Sequence, residues 1–384
     1  MGREFFLPNR IISGTNALEE MSEYISEYGK KALIVTGKTV CTLEGFQKLT
    51  TLLSDHCVAY AVFTGITGEP DDRMIKEGVD AYLSNDCDFL IGMGGGSPID
   101  SMKAIAVWVA TKKNVCDYYG TTITAKLPIM VAIPTTAGTG SEATQFTVIT
   151  DTKSNVKMLL KGKTLMPDLA VIDASLSMSS PKNITAFTGL DALTHAVESY
   201  TSRRAQPLTD DISLSAVTRI FKYLVRAYND GNDIEARTEM SIAALEAGIA
   251  INNASVTLVH GMSRPIGVLF HVPHGLSNAM LLAQCMKFAC DAAYEKFAAL
   301  ARAVGVATIE TDDKTAAYRF VEALHDICKQ CDIPTLSEYG IDKKDFCAAI
   351  NKMADDALVS GSPSNTIKEV TKADIVEIYE KLFS

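Results

Sequence analysis

The stretch Asp88-Phe-Leu-Ile-Gly-Met-Gly-Gly-Gly-Ser97-Pro98-Ile-Asp100 runs from an apolar strand through a glycine cluster into a helix start. Ser97 suits an N-cap, Pro98 suits the first helical position, and Asp100 falls three residues after the cap. Gly94, Gly95 and Gly96 let a ligand approach the backbone closely. The helix start offers an anion unpaired N–H groups and the positive end of a dipole. The segment departs from the G-x-G-x-x-G dinucleotide fingerprint, which from Gly92 would need glycine where Ser97 stands. A second loop, Pro134-Thr-Thr-Ala-Gly-Thr-Gly-Ser141-Glu142, follows the next apolar run and is rich in hydroxyls and glycines. Two such loops after neighbouring strands fall at one carboxyl edge, where α/β sheets bind ligands, and predict a nucleotide site.

Outward from these loops, short apolar runs alternate with helical patterns. Strands are predicted at Ala32–Thr36, Val58–Thr64, Phe89–Gly92 and Ile129–Ile133, with further ones at Gln145–Thr150 and Leu169–Asp173. Helical patterns cover Asp71–Ser84 and Pro98–Thr111. This alternation builds a parallel sheet covered by helices. Past Asn183 long helical stretches take over: Leu190–Tyr200, Thr209–Tyr228, Ile234–Asn253, Tyr294–Val304, Thr315–Gln330 and Asp374–Phe383. The reading is an α/β, Rossmann-like nucleotide-binding domain over residues 1–183, followed by an all-helical metal- and substrate-binding domain over 184–384.

The histidines say what the second domain holds. The chain has six, and His195, His260, His271 and His274 fall within one 80-residue stretch. Asp191 and His195 stand at i and i+4, so one helical face presents both. His260 follows the apolar helical run Ala243–Val259, and His274 lies in His271-Val-Pro-His274-Gly275, where Pro and Gly favour a loop. A carboxylate with several imidazoles suits one divalent transition metal, Fe2+ or Zn2+ alike. Asp plus three neutral His leaves a net positive site able to polarise a substrate oxygen. Metal and nucleotide together point to a metal-dependent dehydrogenase.

These segments resemble the iron-containing (group III) alcohol dehydrogenase family nearly end to end. Phe6-Leu-Pro-Asn-Arg-Ile-Ile-Ser-Gly14 looks like its first hairpin, and GGGSPID at 94–100 and PTTAGTGSE at 134–142 look like its cofactor loops. TGLDALTHAVESY at 188–200, HGMSRPIG at 260–267 and PHG at 273–275 resemble its metal segments. The resemblance implies Asp191, His195, His260 and His274 as metal ligands, in a cleft between the two domains. It implies Gly94, Gly95, Gly96, Ser97 and Asp100 at the pyrophosphate, and Thr135, Thr136, Thr139 and Ser141 around the nicotinamide and its ribose.

Two departures from the family pattern bear on specificity. Arg264 stands where the family commonly has a histidine. A guanidinium cannot act as general base but can clamp an anionic substrate tail; alternatively it pairs with a nearby acid. His271 is then a candidate for proton relay. Gly37 replaces an aspartate frequent among NAD-users, and Lys38 could meet a 2′-phosphate, so NADP stays open, while the prevalence of NAD in the family that the chain resembles favours NAD. The expected reaction is hydride transfer between nicotinamide and a short alcohol or aldehyde, with Arg264 pointing to one with an anionic tail such as sulfoacetaldehyde or succinic semialdehyde. A neutral alcohol or diol dehydrogenase and a hydroxyacid–oxoacid transhydrogenase that retains its cofactor remain as alternatives.

Bulk composition narrows the partners. A net charge of −10 argues against a nucleic acid or an anionic membrane surface. No segment reads as a membrane span, and the N-terminus lacks the apolar core of a secretory signal. Nine scattered cysteines fit reduced thiols in the cytoplasm. The Cys328/Cys331 pair reads as two core residues near a helix end rather than a redox or metal motif. The family resemblance adds the expectation of a homodimer or higher homo-oligomer.

Overall fold

A computed structural model describes residues 2–154 and 156–383. It divides into two compact units, Met1–Ser180 and Pro181–Ser384. In the first, the chain runs β1 (Arg10–Ser13), α1 (Ala17–Tyr28), β2 (Lys31–Val35), α2 (Glu44–Asp55), β3 (Ala59–Phe63), α3 (Asp72–Ser84), β4 (Phe89–Gly94), α4 (Gly96–Thr111), β5 (Met130–Pro134), β6 (Phe146–Asp151), β7 (Val156–Lys161) and β8 (Leu169–Ile172). Six strands form one parallel sheet in the order β1-β8-β5-β4-β2-β3.

The central strands are apolar at almost every position because both of their faces are covered. Leu33, Val35 and Leu90 pack in the core of α3 and α4, while Ala32, Ile34, Phe89 and Ile91 pack against α1 and α2. From β2 the chain steps out to β3, then returns to place β4 on the other side of β2. The carboxyl ends of β2 and β4, carrying Gly37 and the glycine cluster, therefore flank the point where strand order reverses, the usual ligand crevice of such sheets.

In the second unit, α5 (Lys182–Tyr200), α6 (Pro207–Asn229), α7 (Ile234–Asn253), α8 (Leu258–Phe270), α9 (His274–Ala289), α10 (Tyr294–Ala303), α11 (Asp313–Gln330), α12 (Lys343–Val359) and α13 (Lys372–Lys381) form a helical bundle. Helix α5 is buried without a break from Gly189 to Tyr200. At Gly189 a Cβ would come within 2.4 Å of Leu224, so α6 lies close against it. Among the described residues no single helix is long and apolar enough to cross a membrane, and the α7–α8 pair is bent by 103°.

Several local expectations need correction. Residues 6–14 contain one strand, β1, which pairs in parallel with β8 and makes no hairpin. The strand predicted at Gln145–Thr150 is β6, and it leaves the main sheet to pair antiparallel with β7. Helix α4 starts earlier than Ser97: its N-cap is Gly95, and Ser97 makes no capping bond. Gly94 turns the chain at φ +149, where a Cβ would meet Pro98 at 2.7 Å. That early turn leaves Ser97 inside the first helical turn. The apolar run Ala243–Val259 is broken after Asn253, with Ser255 at φ +119, so His260 lies in the first turn of a new helix, α8. His274 is the first residue of α9, with Pro273 as its N-cap, rather than a loop residue.

Candidate functional site

In the nucleotide unit the two glycine-rich loops touch each other. Thr135 donates its N–H to Gly94 O at 2.8 Å, and a Cβ on Gly96 would reach the Thr139 side chain at 3.0 Å. Gly95 faces Thr136 in the same way, at 3.5 Å. Thus Gly94, Gly95, Gly96 and Ser97 at the N-terminus of α4 lie beside Thr135, Thr136 and Thr139, with Ser141 just beyond. Small residues in both loops keep the helix N-terminus open to a phosphate. Gly37 closes β2 nearby in the sheet, bridged to Gly65, and Lys38 is exposed.

Asp100 ties α4 to the segment after the second loop. Its carboxylate accepts from Val148 N–H at 2.9 Å and from the Ser141 side chain, while its carbonyl accepts from Thr147 Oγ1. One turn on, Lys103 is fully buried, and its ammonium donates to Ser141 O at 2.6 Å, Thr144 O at 2.8 Å, Thr144 Oγ1 at 2.9 Å and Phe146 O at 3.0 Å. Burial holds this ammonium down to about 8, with Asp100 and Glu142 opposing. Burial likewise pushes the Glu142 carboxyl up to about 7. Helix α4, which carries the first loop, is thereby tied to the strand-bound end of the second. The sequence reading misses Lys103, and its spacing from Asp100, one helical turn, is the signal that could have found it.

In the helical unit the four proposed ligands meet. From Asp191 Oδ1 the Nε2 atoms of His195, His260 and His274 lie at 3.8, 3.6 and 3.8 Å. Ligand atoms at ~2.1 Å from a shared cation stand ~3.4 Å apart in a tetrahedron; the donor atoms of Asp191, His195 and His260 all lie within 4.8 Å of one another, which fits one ion, and His274 stands beside them, 3.8 Å from Asp191 Oδ1. Asp191, His195 and His260 are 3, 5 and 3% exposed, whereas the His274 side chain is 43% exposed. The rings of His195 and His260 stack at 4.6 Å. Burial disfavours the charged form of Asp191, but the three imidazoles outweigh it and hold the carboxyl well below its usual range. A dense acceptor set of this kind, held anionic, suits a divalent cation.

Two further residues join the cluster. Asn278, one turn after His274, donates Nδ2 to Asp191 Oδ1 at 2.7 Å and lies 3.1 and 3.2 Å from Nε2 of His260 and His274. Its Oδ1 is buried with no protein partner. Glu198, one turn after His195, contacts His260 Nδ1 at 2.5 Å. Both positions follow a ligand at helical spacing, which the sequence displays but does not single out.

Arg264 is half-buried one turn along α8 from His260. It donates to Ser362 Oγ at 3.1 Å, and among the described residues no carboxylate lies within ion-pair distance of it. Desolvation within the cluster chiefly disfavours protonation of His274, and the Arg264 charge adds to it. Gly261 makes this contact possible, since a Cβ there would strike Pro363 at 2.7 Å. His271, by contrast, is exposed in a left-handed turn that ends α8. Among the described residues its ring makes no hydrogen bond or ring contact with the donor cluster. Cys328 donates to Ala279 O at 3.6 Å, and burial pushes both Cys328 and Cys331 up to about 12, which disfavours the thiolate form.

A phosphate-cradling crevice on a parallel sheet, with a carboxylate–imidazole cluster in a helical unit, defines a metal-dependent, nicotinamide-linked dehydrogenase. Residues 8–174 match the model of iron-containing alcohol dehydrogenases, and 185–383 match that of the Fe-containing alcohol dehydrogenase family, C-terminal. The chain belongs to the iron-containing alcohol dehydrogenase family, whose members exchange a hydride between nicotinamide and an alcohol or aldehyde. It is 34% identical to 1,3-propanediol dehydrogenase of Citrobacter freundii over 99% of this chain and 98% of that one. The crystal structure of a 1,3-propanediol oxidoreductase superposes with a TM-score of 0.96 at 32% identity, covering 100% of both chains. Sulfoacetaldehyde reductase from Bifidobacterium kashiwanohense, in complex with NAD+, superposes with a TM-score of 0.89 at 28% identity, covering 100% of this chain and 99% of that one.

Proposed function

We propose that this enzyme reduces a short aldehyde carrying an anionic tail, a sulfonate or carboxylate, and that Arg264 is the tail's anchor. The observation that carries this reading is a half-buried guanidinium that donates to a hydroxyl and, among the described residues, makes no ion pair with an acid. Burying such a cation without a counter-charge is costly, and an anionic substrate supplies the missing partner. The likeness to a sulfoacetaldehyde reductase supports the same chemistry. Asp191, His195, His260 and His274 hold the metal, Fe2+ or Zn2+. When bound, that cation supplies a Lewis acid for the substrate oxygen and the nicotinamide supplies the hydride. The chain's own contribution is position: Asn278 steadies the Asp191 oxygen, Arg264 fixes the substrate's far end, and the loops at 94–97 and 135–141 fix the nucleotide. No step is assigned to His271.

The nucleotide is NAD, with NADP accepted because Gly37 leaves room for a 2′-phosphate and exposed Lys38 offers it a charge. Nine free thiols support a reducing, cytoplasmic setting, and the family resemblance supports a homodimer or larger homo-oligomer.

A second reading rests on the likeness to 1,3-propanediol dehydrogenase: the substrate is a neutral short alcohol or diol, and Arg264 serves only to hold Ser362. Two aldehydes of matched length, one neutral and one anionic, separate the readings. NADH and NADPH oxidation is followed for wild type and Arg264→Ala. Loss of a charge-assisted contact of about 2–4 kcal/mol lowers kcat/KM for the anionic aldehyde ~30- to 1,000-fold while sparing the neutral one. An unchanged ratio of the two substrates selects the second reading.

A further inference from the structure

We propose that Glu198 is a positioning residue that holds His260 in the one tautomer able to ligate. This rests on the reading of His260 as a metal ligand. A neutral imidazole carries one proton on its two nitrogens, and whichever nitrogen binds a cation must be bare. Glu198 Oε2 lies 2.5 Å from His260 Nδ1 and, as an ionised carboxylate, can only accept there. The ring proton is thereby kept on Nδ1, and the Nε2 lone pair faces Asp191 Oδ1, 3.6 Å away.

The other oxygen is committed as well. Glu198 Oε1 accepts from Thr257 Oγ1 at 2.7 Å and from Val259 N–H at 2.7 Å, both at the start of α8. One carboxylate thus sets the ring's protonation and moors the helix that bears the ring. It is 0% exposed, a costly place for a lone anion, and a cation beyond the imidazole completes the charge balance. Asp191, His195 and Glu198 stand at i, i+4 and i+7 of α5, so one helical face delivers two ligands and the group that orients a third.

Glutamine is the discriminating replacement. If its amide nitrogen faces His260, Nδ1 must accept, and the ring proton moves to Nε2 and blocks it. If its amide oxygen faces the ring, the NH2 opposes the Val259 N–H. Neither orientation reproduces the carboxylate.

The test measures dissociation constants for Zn2+ and Co2+ by competition with a chromophoric chelator, in wild type, Glu198→Gln, Glu198→Asp and His260→Ala. The Co2+ absorption spectrum reports ligand geometry, and thermal unfolding is recorded with metal removed. The expected result is near-complete loss of tight binding in His260→Ala and a ~10- to 100-fold weakening in Glu198→Gln, with an altered Co2+ spectrum. Glu198→Asp, which keeps the charge but is one methylene shorter, weakens binding too and serves if the glutamine variant does not fold. If His260→Ala binds like wild type, the ligand reading itself fails. If His260→Ala loses metal while Glu198→Gln and Glu198→Asp keep the wild-type constants, the role of Glu198 is overturned and the ligand reading stands. A lower unfolding temperature with unchanged metal constants makes Glu198 merely structural and also overturns the proposal.

Discussion

Replacing Lys103 by methionine probes the tie between the two nucleotide loops. The ammonium's ordinary value of 10.5 falls to about 8 on burial, a penalty of ~3 kcal/mol on the charged form. Methionine removes that penalty and fills most of the volume. It also strands Thr144 O and Phe146 O, at about 1–3 kcal/mol for each orphaned acceptor. The two effects oppose each other, so at pH 7 the stabilities differ by no more than ~3 kcal/mol, and the pH profile is the sharper reporter. Between pH 8 and 10.5 the folded wild type binds fewer protons at Lys103 than the unfolded chain does. Its stability therefore rises through that window, by ~3 kcal/mol from this group. The methionine variant lacks that rise. Urea denaturation of both proteins from pH 7.5 to 10.5 measures the difference, and cofactor titration shows a nucleotide KM raised ~10-fold as the loops part. Parallel stability curves, or an unchanged nucleotide KM, would refute the argument.

Gly37→Asp places a carboxylate at the end of β2, where it repels a 2′-phosphate; the NADH to NADPH preference, measured as a ratio of kcat/KM, rises at least ~10-fold. Gly261→Ala drives a Cβ toward the rigid Pro363 ring; overpacking costs about 1–3 kcal/mol in chemical denaturation, and substrate KM rises with the shifted Arg264. Dialysis against a chelator abolishes turnover and lowers the unfolding temperature. Restoring Zn2+ or Fe2+ at 100 times its dissociation constant returns ~2.7 kcal/mol of stability, whereas full activity of metal-free protein would exclude the mechanism.

Periodicity was enough to read the sheet and most helices because β2, β4 and β5 are apolar on both faces and stand between clear helical patterns. Asp191 and His195 were legible for a similar reason, being one helical turn apart. The errors fall where backbone geometry overrides side-chain pattern. Gly94 turns the chain so early that Ser97, a good cap by chemistry, never occupies the cap. The bend at Ser255 interrupts an apolar run that shows no break in hydropathy. Strand β6 carries the alternation of any half-buried strand, and its departure into a hairpin depends on β7, which lies beyond local reach. Lys103, Glu198 and Asn278 escaped notice because a buried polar residue is defined by partners distant in sequence; Glu198 and Val259 are 61 positions apart. The lone environment of Arg264 was equally invisible, since only packing shows which acids fail to reach it.

The uneven exposure of the donor cluster bears on time rather than affinity. Asp191, His195 and His260 are shut from solvent, and the half-open His274 is the one donor a passing ion can meet from outside. Entry then begins at that imidazole and finishes only when the bundle loosens enough to admit a dehydrated ion, and departure retraces the path. Exchange is accordingly governed by breathing of α5, α8 and α9. The expected outcome is that a bound occupant exchanges slowly even against a tighter-binding competitor, which the time course of Co2+ replacement by Zn2+ measures. Two preparations of identical sequence can differ in the ion they carry according to the medium in which each chain matured.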